Sequence, residues 1–365
     1  MGSRTTFPKR GIAGALVAIL VGVAVPLVVD PPPAAATTVM NETQLRAAFL
    51  DVNETSITLT QSIDLVDCVT GALTRTSSNG LTIVGGGFTI HQTCAGKDLM
   101  DVNGGGSLTL DHVTLQDDGA NGVTNTASVT LTDSTLRGPG GDGISVTGAG
   151  ATATVIRSLI TDTANDGIAA NAGATVSLVS STVDQANNDG VFAIGGGSVT
   201  VQNSTITASI GDGIATVGGG GVTLVYATIV ENNAGNVFHT GTLASFGSVV
   251  ALAGSGVNCS GGANSSQGYN FSDDGSCGFT STGDRSNAGN PAEGALTGNG
   301  GPTPTRAPDP GSPLLDAIPV GACASGITVD QRGFPRPSGR GCDVGAVEIQ
   351  VPAPPPVPVT PKFTG

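Results

Sequence analysis

Over residues 107–239 the chain repeats one pattern of apolar and polar positions. Laid in register, the stretches are "SLTLDHVTLQDDGANGVTN" from Ser107, "SVTLTDSTLRGPGGDGISV" from Ser128, "TATVIRSLITDTANDGIAA" from Thr152, "TVSLVSSTVDQANNDGVFA" from Thr175, "SVTVQNSTITASIGDGIAT" from Ser198 and "GVTLVYATIVENNAGNVFH" from Gly221, a unit of about 23 residues. Alternating apolar residues such as Val199 and Val201 predict a short strand in each unit, Ile206 a second after a polar corner, and Ile214 a third after an Asp-Gly turn. Three short strands cannot bury their apolar faces alone, whereas stacking unit on unit buries them all. Gly122, Gly143, Gly167, Gly190 and Gly213 mark the turn, and Asn236 takes the same place in the sixth unit. A position that accepts glycine or asparagine predicts left-handed backbone.

The expected fold is therefore all-β: a right-handed, single-stranded parallel β-helix. The units lack helical periodicity, and left-handed hexapeptide coils would need about 18 residues per turn. Weaker coils, "SITLTQSIDL" from Ser56 and "LTIVGGGFTI" from Leu81, extend the rod toward the N-terminus. About 8–10 coils at a strand spacing of ~4.8 Å give a rod on the order of 40–50 Å long. Its open ends need covers. Residues 41–52, "NETQLRAAFLDV", set Leu45, Ala48 and Phe49 on one helical face behind a capping residue, which predicts an amphipathic helix over the first coil. The rod with this cap is expected over residues 37–257. Residues 258–349 lose the repeat, turn rich in Gly, Asn and Ser, hold four of the six cysteines, and are expected to form a disulfide-bonded C-terminal cap and appendage.

The termini have their own composition. Residues 1–36 read as a secretory leader: Arg4, Lys9 and Arg10, then an apolar stretch over 11–29, then Ala34-Ala35-Ala36 before a cleavage point at Thr37. The alternative is an apolar stretch retained as a membrane anchor. Residues 350–365 are proline-rich and predict an extended spacer. A secreted chain favours disulfides. The six cysteines fall into neighbouring couples in irregular segments, so the expected bonds are Cys68–Cys94, Cys259–Cys277 and Cys323–Cys342.

Charge and composition exclude several functions. With 28 acidic against 14 basic residues the formal charge is -14, which repels nucleic acid and anionic membranes. The partners that remain are a polysaccharide or another surface protein, at an extracellular or cell-surface location. With no Trp, 2 Tyr and 10 Phe, aromatic platforms for sugars are scarce.

The segment 298–348 carries pieces of a known pattern: Asn299-Gly300-Gly301-Pro302-Thr303, Gly311-Ser312-Pro313 with Asp316, Asp330-Gln331-Arg332-Gly333 with Arg336-Pro337, and Cys342-Asp343 leading to Gly345-Ala346-Val347-Glu348. It resembles the choice-of-anchor Q domain of secreted bacterial β-helix proteins, and "NCSGGANSSQGYNFSDDGSC" from Asn258 resembles what precedes that domain. The coils upstream resemble pectate-lyase-like repeats. The resemblance implies a secreted or surface protein and transfers no catalytic residue.

Pectin-type catalysis needs clustered carboxylates with calcium and a basic residue, or several Asp on one groove with His and an Arg-x-Lys element. The repeats have no Lys after Lys97, no Arg-x-Lys, and Arg137 and Arg157 at different coil positions, so no residue is assigned to catalysis. A non-enzymatic adhesion, interaction or envelope role is the first reading, and a polysaccharide lyase or hydrolase with a groove along the rod is the alternative. The Gly-rich turns lack the Lys and the helix of a phosphate loop. His112 and His239 are scattered and expected at the surface or a corner. One constellation remains: Asp142, Asp166, Asp189 and Asp212 each precede a turn glycine and would stack coil on coil. Either each caps its own turn and points into water, or together they form a calcium ladder; no other cofactor is expected.

Overall fold

The computed structural model describes residues 36–351, so the expected leader and proline tail lie outside the described residues except for Ala36, Gln350 and Val351. The described chain is a right-handed parallel β-helix of about ten turns with one α-helix. Each turn contributes a strand to each of three parallel ladders. The first stacks Leu108–Asp111, Val129–Thr132, Thr152–Ile156, Thr175–Val179, Val199–Gln202 and Val222–Val225. The second stacks Thr114–Asp117, Thr135–Arg137, Leu159–Thr161, Thr182–Asp184, Thr205–Thr207 and Thr228–Val230. The third stacks Val123–Asn125, Ile144–Thr147, Ile168–Asn171, Val191–Ile194 and Asp212–Val217. Near the far end, Gly235–Phe246 runs through the corner and serves both the third and first ladders.

Register turns the sequence pattern into columns. Leu110, Leu131, Val155, Leu178, Val201 and Leu224 pair in succession and are all fully buried. Burying one such side chain contributes roughly 1.5–3 kcal/mol. Leucine, valine, isoleucine and alanine make up most of this interior.

The turn glycines answer to space rather than to backbone conformation. Gly122, Gly143, Gly167, Gly190 and Gly213 are absent from the residues with left-handed φ. A Cβ at Gly167 would lie 2.5 Å from the Gly190 carbonyl oxygen and 2.6 Å from Val183 Cγ1. Asn236, in the same place, turns its side chain inward to donate to Ala251 O at 2.7 Å and to Asn258 Oδ1 at 2.8 Å. Left-handed backbone falls at the corners instead. One column between the first and second ladders is His112, Asp133, Arg157, Ser180, Asn203 and Tyr226; another after the second ladder is Gly138, Asp162, Gln185, Ala208 and Glu231.

A serine column closes the first of these corners. Ser134, Ser158, Ser181 and Ser204 each donate to the carbonyl two residues back. In turn Ser158, Ser181 and Ser204 accept the N–H of the serine one coil before. Buried backbone at a corner that has left the ladders is thereby satisfied.

The ends are covered as the pattern suggested. Glu42–Leu50 is helical, Asn41 accepts the Gln44 N–H at 3.0 Å, and Leu45, Ala48 and Phe49 are buried. The buried Arg75 donates to the Phe49, Asp51 and Glu54 carbonyls at 2.7–3.0 Å and so satisfies the exit of that helix. At the other end Cys259, Cys277 and Phe279 complete the main core. The disulfides join Cys68 to Cys94, Cys259 to Cys277 and Cys323 to Cys342.

Beyond that end the chain folds back along the outside of the second ladder. A second core gathers Tyr226, Val230, Val249 and Ala251 of the rod with Phe271, Leu314, Ile318 and Val344. Gln331 is the clamp: its amide donates to Ser181 O at 3.1 Å and Thr182 Oγ1 at 2.8 Å, and its Oε1 accepts from Thr205 Oγ1 at 2.7 Å. Arg336 stacks 4.0 Å over Tyr226 and donates to the Asp343 and Gly345 carbonyls.

Candidate functional site

Where the returning segment leaves the second ladder uncovered, a groove follows the corner column that starts at Gly138. Its largest depression, about 510 Å³, is lined by Asp184, Gln185, Thr207, Ala208, Glu231 and, from the returning segment, Leu296, Thr297, Pro304 and Arg306. A second, about 340 Å³, shares Gln185 and Ala208 with it and adds Asp162, Asn187 and Ile210. A third, about 350 Å³, shares Asp162 with the second and adds Gln116, Asp118 and Arg137. The left-handed residue after the second-ladder strands from Thr135–Arg137 to Thr228–Val230 makes this shape: it turns the chain away from the sheet and leaves the side chains at Asp162, Gln185 and Glu231 standing along the edge.

The groove's electrostatics are uneven. Arg306 holds Glu231 with both guanidinium arms, at 2.5 and 2.6 Å, and is itself 7% exposed. Behind this pair, burial pushes Glu293 up to about 8, and its Oε2 is shut off from solvent without a hydrogen-bond partner. Asp184 is 7% exposed. Burial, reinforced by the neighbouring Asp162 carboxylate, pushes it up to about 6 against the opposing pull of the Thr161 hydroxyl and Arg306. Near the third depression, His91 lies 2.9 Å from Asp118 and 3.3 Å from Asp64.

The sequence-derived aspartates lie on a different line. Asp142 accepts from the Asn165 amide at 2.6 Å and from the Asp166 N–H at 3.3 Å. Asp166 does the same for Asn188 and Asp189 at 2.7 and 3.0 Å, and Asp189 accepts the Asp212 N–H at 2.7 Å. The Asp142, Asp166 and Asp189 side chains thus point along the rod at the next coil, rather than capping their own turns and facing water. Burial pushes Asp166 and Asp189 up to about 6 and raises Asp212. Asp166 is 4% exposed. Their geometry is that of acceptors joining coil to coil, and among the described residues they bring no three donor oxygens within 4.8 Å of one another.

One trio does meet that distance, Asp111, His112 and Asp133, but Arg157 already spans both oxygens of Asp133. His112 is exposed at its corner, as its scattered position suggested. His239 is not at the surface: it is fully buried, between Gly241 O at 3.2 Å and Asn264 Oδ1 at 2.7 Å.

The groove escaped the sequence because its floor is a corner position whose identity changes from coil to coil, and one wall comes from residues 295–306. The signal available was the residue five before the turn glycines Gly143, Gly167, Gly190 and Gly213, which reads Gly138, Asp162, Gln185 and Ala208.

A coiled rod of three parallel ladders, with a groove along one corner, defines the class of the protein. The family described as a right handed beta helix region matches residues 100–289, and the chain belongs to it. Among solved structures the chain is similar to pectate lyase Pel9A, at 13% identity and a TM-score of 0.47, over 86% of this chain and 97% of that one. It is also similar to an L. reuteri 53608 SRRP, at 19% identity and a TM-score of 0.37, over 63% of this chain and 96% of that one. No curated protein matches it.

Proposed function

We propose that the protein acts outside the cell as a non-enzymatic β-helix that holds an extended glycan chain in the corner groove. The observation that carries this reading is the run of three adjoining depressions, each lined by hydrogen-bonding side chains, from Asp118 to Arg306. A polymer lying along the rod meets a new set of such groups at every coil, about 4.8 Å apart. The depressions have the size of ligand clefts, roughly 300–1,000 Å³. Three disulfides agree with an extracellular setting. Adhesion to a glycan-coated surface, through a segment resembling choice-of-anchor Q, is the role this reading assigns. Titration calorimetry against a panel of soluble polysaccharides tests it: binding that Gln185→Ala weakens supports it, and no binding across the panel overturns it.

A hydrolytic reading has one observation in its favour. Burial raises the Asp184 carboxyl to about 6, and it lies beside Asp162; glycoside hydrolysis uses a pair of carboxyl groups. Release of reducing ends that Asp184→Asn abolishes would establish it.

A further inference from the structure

The groove's charges do not balance among themselves. Arg306 is committed to Glu231, and the Arg137 guanidinium bonds the Gln116 side-chain oxygen at 2.8 Å. Neither Asp184 nor Asp162 has a salt bridge among the described residues. Asp184 is more than nine-tenths buried, yet its side chain lines the largest depression. Taking a carboxylate out of water without a cation is costly. The fold does not require it: the register places Thr161, Thr207 and Val230 at the same position of neighbouring strands. A carboxylate that the architecture does not need, facing a cleft and drawn on by Arg306, whose guanidinium is already bonded to Glu231, fits a ligand that brings a further cation.

We infer that Asp184 and Asp162 form a subsite for ammonium groups, so that the polymer held in the groove is a hexosamine glycan with free amines. This rests on the glycan reading and gives it a substrate class. An N-acetylated chain would leave Asp184 unneutralised and place an acetyl group against it. A uronic acid chain would be repelled.

Calorimetry at about pH 6 and low salt, with glucosamine, N-acetylglucosamine and glucose oligomers of equal length and a lysine hexapeptide, tests this. The free amine sugar should bind at least about tenfold more tightly than the N-acetylated one. That preference should vanish in Asp184→Asn and Asp162→Asn and persist in Asp101→Asn, which removes the same charge from the third ladder. Equal affinity for the free and acetylated oligomers, or a preference unchanged in Asp184→Asn, overturns the inference while leaving the glycan reading intact. Binding of the lysine peptide as tight as that of the amino sugar overturns it in favour of a basic peptide. Failure of every oligosaccharide to bind overturns the glycan reading itself.

Discussion

Replacing Gly190 by alanine and by asparagine separates the two reasons a turn can demand glycine. A Cβ there would lie 2.6 Å from the Gly213 carbonyl oxygen, 2.6 Å from Ile206 Cγ2 and 3.0 Å from Ser209 Oγ. All three are inside normal contact, so the coils must part or Ile206 must leave its rotamer. Overpacking of this kind costs about 1–3 kcal/mol. Asparagine adds an amide to the same space, and an unpaired buried amide costs about 1–3 kcal/mol more. Packing therefore ranks the variants wild type, then Gly190→Ala, then Gly190→Asn. A left-handed backbone would reverse the last two, because asparagine tolerates that region better than alanine. Guanidinium unfolding followed by circular dichroism reads the ranking as the midpoint at constant slope. Gly219 is the internal control, with φ of +91° and nothing within 4 Å of an added Cβ; there asparagine should cost less than alanine. Gly190→Asn matching or exceeding Gly190→Ala in stability would refute the packing argument for the whole glycine column.

Gln331→Ala should free the returning segment: limited proteolysis should then cut within residues 290–349 while the coils stay protected, and an unchanged pattern would contradict the clamp. Asp117, Asp166, Asp184 and Asp189 have folded values raised to between about 6 and about 7 by burial, above the usual carboxylate range near 4. The stability they contribute is full below about pH 4 and is lost as pH rises through 6–7, so the melting temperature should fall from pH 5 to pH 8, and Asp166→Asn should flatten that fall. Replacing Cys259 and Cys277 by serine opens a loop of sequence separation 18 and should cost about 3 kcal/mol, read from the same denaturant midpoints.

What could be read from the residues alone was the part of the molecule that repeats. Alternation of the Val199 and Val201 kind, recurring every 23 or so residues, reflects a physical need that every coil shares, and it fixes the strands, their stacking and the interior columns. The serine column recurs with the same period, at Ser134, Ser158, Ser181 and Ser204, and was equally open to reading as a corner device. The turn glycines were visible but pointed to the wrong cause, since glycine serves a left-handed backbone and a crowded one alike. Asn236 completed that misreading, because it reaches inward to Ala251 and Asn258 rather than relieving a left-handed φ. The groove was not legible: its floor residues share a backbone conformation and not a side-chain type. Its upper wall depends on Gln331 and Arg306 reaching positions 75 or more residues away in the chain.

The central claim is that the corner groove is where this protein meets its ligand. Ala208 lines both the first and the second depression and already holds a left-handed φ of 58°, so an arginine there fills the groove with little new backbone strain. Titration of the best-binding glycan against wild type and Ala208→Arg, with equal melting temperatures as the check on folding, is the direct measurement. Loss of binding in Ala208→Arg is the predicted result; undiminished affinity would place the ligand elsewhere on the rod and contradict the account.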